Sequence, residues 1–377
     1  MNKSEVLFVG IGQAGNNIAS EMLKKDRRYN GLFINTSYDD IKGLDNATNV
    51  FVIPAASGSA RNRNRAKLYA KKHIHSMIDK TGEFPNQRVV NFVFSMGGGT
   101  GSGIAPALIQ ILCQTNPGLH INVIAIEPSL NESKKAHENC LACWNELMKI
   151  KEIRTFYILD NNKRANKLAI NKEFADLYDG FMNTKEVNKS GIIDNAELEL
   201  LTESRGFGAI YKISDFDNKK SMSKIIEDSI FSTGGALTCK YLGLSVKEDF
   251  DYDKVIDIFK VTEDYFVGYT DDNPLLIMGG ITLNSNVVKD IKENLESMKK
   301  SFEEEVAIAS EDLIIDVDII EEEPIIKEKK EAVSIDKLMD NEDDFWNKIM
   351  NMWIKEGGVL SPPFTIYSFH ILSFLVY

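Results

Sequence analysis

The amino-acid sequence predicts an α/β protein in four parts. These are a Rossmann-like domain with a parallel sheet over residues 1–166, a long central helix and following loop over 167–204, a smaller mixed α/β domain over 205–302, and a disordered acidic tail over 303–377. Three observations predict it. Apolar strands alternate with helical stretches through the first part, the pattern of a parallel sheet covered by helices. Two of those strands, at residues 6–9 and 89–94, run straight into glycine-rich loops that open helices. Between residues 302 and 347 stand 17 acids against 4 Lys or Arg, while the whole chain carries a net charge of −12, so the tail holds all of the negative excess.

The first strand leads into Gly10-Ile11-Gly12-Gln13-Ala14-Gly15 and a helix starting near Asn16. A dinucleotide site would add an acid about 20 residues on to take the ribose hydroxyls. The second strand (31–34) ends instead in Asn35-Thr36, with Asp39 and Asp40 as the nearest acids, so this motif alone is weak. A third strand (50–53) precedes Gly58-Ser59-Ala60-Arg61 and a basic helix start that runs on to residue 79. The fourth strand enters Gly97-Gly98-Gly99-Thr100-Gly101-Ser102-Gly103. Five glycines in seven positions build a backbone surface on which peptide N–H groups approach an anion closely, with a helix dipole behind them. A Walker A loop is excluded because Gly103 is followed by Ile104, not by Lys and Ser or Thr. A flexible linker does not fit between a strong strand and the apolar helix 104–113. Two such loops on one sheet suggest a triphosphate gripped from two sides.

The fifth strand (121–126) is followed by Glu127-Pro128-Ser129-Leu130-Asn131-Glu132 and a helix to residue 148, for which Asn131 or Ser133 would serve as N-cap. The sixth strand (155–159) ends in Asp160-Asn161-Asn162, and a helix over 167–187 precedes Gly191-Ile192-Ile193-Asp194-Asn195-Ala196-Glu197. Asp194 and Glu197, three apart at a helix start, face one way and can address one water. The same spacing is that of a capping box. Beyond residue 205 the pattern reads strand 208–214, helix 218–232, strand 236–246, helix 253–260, strands 265–269 and 275–283, and helix 287–300.

The strings GIGQAGNN and GGGTGSG, in this order, resemble the nucleotide-binding loops of the tubulin/FtsZ superfamily over roughly residues 1–300. The resemblance implies a GTPase that binds GTP/GDP with Mg²⁺ and forms head-to-tail filaments, hydrolysing GTP in trans at the joint between subunits. It implies nucleotide contacts at Gly12, Gln13, Ala14, Asn16, Gly97, Gly98, Gly99, Thr100, Gly101 and Ser102. It places Asn35 and Thr36 near Mg²⁺ and the phosphates, Gly58 and Arg61 at the γ-phosphate, Asn131 on the ribose side, and Asn161 and Asn171 at guanine. Asp194 and Glu197 take the place of the acids that act on the neighbouring subunit's nucleotide, although Ile192 and Ile193 depart from the family's Asn-x-Asp pattern. Plainer readings stand beside these: Arg61 as a solvated helix start, and the asparagines as surface groups. The GIGQAGNN loop, Asp160-Asn161-Asn162 and the long acidic tail are similar to the plasmid- and phage-borne TubZ branch. That branch implies DNA segregation through a basic DNA-binding adaptor that meets the tail. An FtsZ-like or phage-spindle polymer, or a structural polymer without efficient hydrolysis, is the alternative.

Composition agrees with this reading. At 377 residues and 43% hydrophobic content the chain buries two cores. Cys140 and Cys143 have redox spacing but no second pair, and read as small core residues in a reducing cytoplasm. No signal-peptide stretch opens the sequence. Direct nucleic-acid binding is not expected, because no basic stripe of useful size lies outside residues 61–72. An amphipathic helix at 335–353 would dock on a partner. The apolar end, 357–377, has 14 residues after Pro363, short of the roughly 20 that cross a bilayer, and a membrane role is not expected. An NAD-linked oxidoreductase lacks its acid after the second strand and a placed histidine.

Overall fold

A computed structural model gives the fold and describes residues 1–312 apart from 45, 55, 85, 185–188 and 283–287, with the backbone alone over 302–312. Strands and helices alternate as β1 (Val6–Ile11), α1 (Gly12–Lys25), β2 (Asn30–Asn35), β3 (Val50–Val52), α2 (Arg63–Gly82), β4 (Val89–Ser95), α3 (Thr100–Thr115), β5 (His120–Glu127), α4 (Lys134–Leu147) and β6 (Thr155–Asp160). The central helix α5 (Lys167–Asn183) and the short α6 (Asn195–Glu203) follow. Then come β7 (Gly206–Lys212), α7 (Lys219–Glu227), β8 (Thr238–Val246), α8 (Asp253–Ile256), β9 (Lys260–Tyr269), β10 (Leu275–Ile281) and α9 (Lys289–Asp312).

The ten strands of the described residues join one sheet in the order β3-β2-β1-β4-β5-β6-β7-β10-β8-β9. From β3 to β7 the pairing is parallel, so β1, β4, β5 and β6 deliver their C-terminal loops to one edge. That edge is where an open parallel sheet binds ligands. The β6–β7 join is thin, with register pairs only at Thr155–Gly206 and Phe156–Phe207. Beyond it β10 runs antiparallel to β7 and β8, and β8 pairs parallel with β9.

Strands buried on both faces read as continuous apolar runs, and β1 and β4 do so because helices cover them from both sides. α5 lays Ile170, Phe174, Ala175, Leu177, Tyr178, Phe181 and Met182 into the core. Tyr178 packs edge-on to Phe8 at 5.4 Å between ring centroids, and Asn91 Nδ2 donates to its hydroxyl at 3.1 Å. These contacts fix the central helix across the middle of the sheet. α6 lies directly on glycines of the second half: a Cβ on Gly279 would stand 2.4 Å from the Leu201 carbonyl oxygen, and one on Gly243 2.8 Å from Leu201 Cδ1.

Three elements differ from the sequence expectation. The helix expected over 253–260 stops at Ile256, and Lys260 already pairs with Thr238, because the backbone ladder to β8 outweighs local helical preference. The helix expected to residue 232 ends at Glu227, since Asp160 N donates to Ile230 O at 2.9 Å and Ser232 N to Ile158 O at 2.8 Å. The last helix runs on to Asp312, into the stretch read as tail. The amphipathic segment at 335–353 and the apolar end lie outside the described residues. Cys113, Cys140, Cys143 and Cys239 are free and buried, as a core role requires, and burial pushes the Cys143 thiol up to about 12. Among the described residues no helix is long and apolar enough to cross a membrane.

Candidate functional site

The two glycine loops meet at the C-terminal edge of neighbouring strands β1 and β4. α1 and α3 both start without a side-chain cap or an acid in the first turn. By contrast α2, α5, α6 and α7 are capped by Asn62, Asn166, Asp194 and Asn218. Uncapped N–H groups at two adjacent positive dipole ends form an anion site. Gly12, with φ +74°, closes the turn, and a Cβ there would sit 3.4 Å from Gly101 N. Gly99 has no room for a side chain, since a Cβ would meet Ser59 Oγ at 2.5 Å and Arg61 Cα at 2.8 Å.

Hydroxyls from three loops converge on Thr100. Its Oγ1 lies 2.8 Å from Thr36 Oγ1 and 3.0 Å from Ser59 Oγ, all three side chains being buried. Beside them Asn35 Oδ1 accepts from Thr36 N at 2.8 Å, and its Nδ2 donates to Asp40 at 3.2 Å. Asn139 on α4 donates to the carbonyls of Arg61, Gly97 and Gly98 at 2.9, 3.2 and 3.3 Å, and the Ser102 hydroxyl also donates to Gly98 O. Loop carbonyls are thereby tied to the protein, and the peptide N–H groups are left to meet an anion.

Pro106 has no N–H, so the Ser102 carbonyl lacks its helical partner. Arg63 supplies one, donating to Ser102 O at 3.0 Å. The same guanidinium and Lys67 pair with buried Glu146 of α4 at 2.5 and 2.6 Å. This buried cluster ties α2, α3 and α4 together behind the loops.

Beside the second glycine loop Arg61, held at φ +58°, reaches Ser133 Oγ at 3.0 Å and Glu132 at 3.3 Å, and Lys167 holds Glu132 from α5 at 2.6 Å. Burial opposes ionisation of Glu132, but Lys167, the Ser129 amide and Arg61 outweigh it and hold the carboxyl below the usual range. Asn131 is exposed and accepts from Ser129 Oγ at 2.8 Å. Asn161 is half-buried after β6, and Asn171 is buried in the second turn of α5. Asn16 is fully buried, and its Oδ1, beside the first glycine loop, has no partner among the described residues.

Asp194 and Glu197 form a capping box. Asp194 Oδ1 accepts from Ala196 N and Glu197 N at 2.8 and 2.9 Å, and Glu197 Oε2 accepts from Asp194 N at 2.8 Å. They lie at the opposite edge of the sheet from the glycine loops. Next to Asp194, Asn195 Oδ1 lies 3.0 Å from the Met1 amino group, beyond the N-terminal end of β1, whereas Gly12 follows the C-terminal end of that strand. The structure therefore brings the glycine loops and the Thr36, Ser59 and Thr100 hydroxyls together at one edge of the sheet and sets the two acids at the other.

Sequence reasoning did not single out Ser59, Asn139 or Glu132. Ser59 and Glu132 stood in loops already read, so position was the signal for them. Asn139 lies mid-helix in α4 with no motif around it.

An α/β sheet with two uncapped, glycine-opened helix starts side by side defines a phosphate-gripping nucleotide-binding protein. The comparisons sharpen that class. Residues 5–168 match the tubulin/FtsZ family, GTPase domain. The tubulin-like protein TubZ of Clostridium botulinum C phage is 32% identical over 359 residues, covering 92% of this chain and 100% of that protein. The solved structure of Clostridium botulinum phage c-st TubZ with its C-terminal tail truncated superposes with a TM-score of 0.75 at 32% identity, over 79% of this chain and 99% of that one. A GTPγS-form protofilament of Bacillus thuringiensis serovar israelensis TubZ shares the fold, with a TM-score of 0.68 at 15% identity over 82% of this chain and 95% of that one. The chain belongs to the tubulin/FtsZ family, in its TubZ-like branch, and its GTPase domain is a guanine-nucleotide site.

Proposed function

We propose that this chain is a GTP-dependent, filament-forming GTPase whose active site is completed only between head-to-tail copies. One observation carries the proposal: Asp194 and Glu197 stand at the opposite edge of the sheet from the glycine loops. A copy that presents its α6 end to the next copy's nucleotide cleft makes a heterologous contact, which repeats into a filament. The solved TubZ protofilament supports such stacking for a protein of this fold.

In this reading the N–H groups of Gly12, Gln13 and Ala14 and of the 97–102 loop hold the phosphates, and Gly58 and Arg61 close on the γ-phosphate. Asn16 stands beside the first of these loops with its unpartnered oxygen. Asn131 and Glu132 face the ribose, and Asn161 and Asn171 present amides, which both donate and accept, to guanine. The cluster of Asn35, Thr36, Ser59 and Thr100 has the hard oxygen donors that suit Mg²⁺. Mg²⁺ bound there would neutralise developing phosphate charge, which matters because neither glycine loop carries a lysine. The capping box fixes the direction of both carboxylates. Asp194 Oδ2 and Glu197 Oε1 have no partner among the described residues, and they would orient and take a proton from the attacking water of the adjoining copy.

The cellular role that fits is DNA segregation in a cytoplasm, with the acidic tail recruiting a basic DNA-binding adaptor. The test is complementation. Asp194→Asn has intact loops, and Thr100→Val has intact acids. Each alone is expected to release phosphate from GTP far below the parent protein, and a mixture is expected to exceed the sum of the two. A mixture equal to the sum overturns the shared site.

A further inference from the structure

We propose that Glu127, buried at the end of β5 beside the end of β6, is a positioning residue of the nucleotide site that holds the ribose- and base-side loops closed together. The proposal rests on the guanine-nucleotide reading above. Glu127 ends β5, immediately before the 128–132 loop, and pairs in register with Asp160 at the end of β6. It is buried, its Oε1 has no partner among the described residues, and the Ser232 hydroxyl is near enough to favour its ionised form. Asp160 Oδ1 accepts from both Asn162 N and Asn162 Nδ2, at 2.8 and 2.7 Å. Asn162 Oδ1 in turn accepts from Leu130 N at 2.9 Å, which returns the path to the loop that Glu127 opens. Asp160, Asn162 and Leu130 thus link the base-side strand end to the ribose-side loop, and Glu127 stands beside Asp160 at the strand end from which that loop springs.

The groups facing Glu127 are Asp160 from β6, Asp290 from α9, the Cys140 thiol from α4 and the Ser232 hydroxyl from the segment after α7. None of these is a cation. Burial first, then the Asp160 charge, push the carboxyl up to about 8, so it is neutral at pH 7. A second negative charge beside Asp160 in this buried place drives the two strand ends apart. Asp160 then loses its hold on Asn162, and Asn162 its hold on Leu130. The loop that carries Asn131 and Glu132 loosens, and nucleotide affinity falls.

The measurement is the dissociation constant of a fluorescent GDP analogue from pH 6.5 to 9.5, using GDP so that assembly does not intervene, with the adenine analogue as control. The parent protein is expected to bind with constant affinity at low pH and to weaken about tenfold per pH unit above the carboxyl's titration, as release of one proton requires. Glu127→Gln, which cannot ionise, is expected to flatten this fall. Any titration of the nucleotide itself appears in both proteins and cancels between them. Ser232→Ala removes a nearby hydroxyl that favours the ionised form, so the onset moves to higher pH with affinity at pH 7 unchanged. It decides the matter if Glu127→Gln does not fold. Matching profiles for the parent and Glu127→Gln, or an onset that Ser232→Ala does not move, overturn the proposal. Tight GDP binding with no pH dependence sinks this inference alone, whereas no preference for GDP over the adenine analogue at pH 7 sinks the function with it.

Discussion

Thr100 is the residue on which three loops depend. Thr36 and Ser59 are buried and share its hydroxyl, so Thr100→Val, equal in shape, strips both of a partner at a cost of about 1–3 kcal/mol each. Calorimetric titration is expected to show at least tenfold weaker GTP binding, while the variant keeps its secondary structure by circular dichroism. Glu127 makes a prediction of opposite character. Its folded-state carboxyl is displaced from 4.5 to about 8, so the neutral form is the one that the fold favours. Its contribution to stability is therefore complete below pH 4.5 and is lost as the pH rises through 8. At about 1.4 kcal/mol per unit of displacement the loss is several kcal/mol. Denaturant titrations are expected to show the parent protein losing stability between pH 5 and 8 relative to Glu127→Gln. At this scale the sequence made the glycine loops legible, because their chemistry lies in the backbone and glycine announces it. Asn139 was not legible: an asparagine in mid-helix carries no mark of the three carbonyls it holds.

Among the elements, α6 separates binding from turnover. Asp194 is both its N-cap and a proposed catalytic base, and Asp194→Ser keeps a capping oxygen while removing the carboxylate. The variant is expected to bind GTP normally, unfold within about 1 kcal/mol of the parent protein, and lose turnover. Gly279→Ala acts on the same helix from below. Its Cβ would stand 2.4 Å from the Leu201 carbonyl oxygen, so α6 has to shift, and turnover is expected to fall with GDP affinity unchanged. Elements with a strong apolar pattern were readable in the sequence, the runs of β1 and β4 and the helices α3 and α5 among them. The boundary between α8 and β9 was not, since the first half of Lys260–Tyr269 gains its strand from the ladder to β8, a partner that local propensity does not reveal. Likewise α7 ends where residues 230–232 turn to bond the backbone of β6.

Across the whole molecule the glycine loops and the acids occupy opposite edges of one sheet, with α5 between them. The N-terminal segment braces that arrangement: buried Lys3 bonds Asp179 of α5 at 2.6 Å and Asp26 at 3.1 Å, and the Tyr29 hydroxyl donates to Asp179 at 2.9 Å. The order of the loops along the chain was legible from sequence, but the separation of Asp194 from Gly12 was not, because it follows from strand direction and not from spacing. The measurement that tests the central claim most directly is phosphate release from GTP against protein concentration, with Mg²⁺ present and ATP as control. A site divided between copies predicts turnover per chain that is negligible below a threshold concentration, rises above it, and occurs with GTP alone. Turnover per chain that is constant at every concentration would mean that one copy carries the whole site, and would contradict the account.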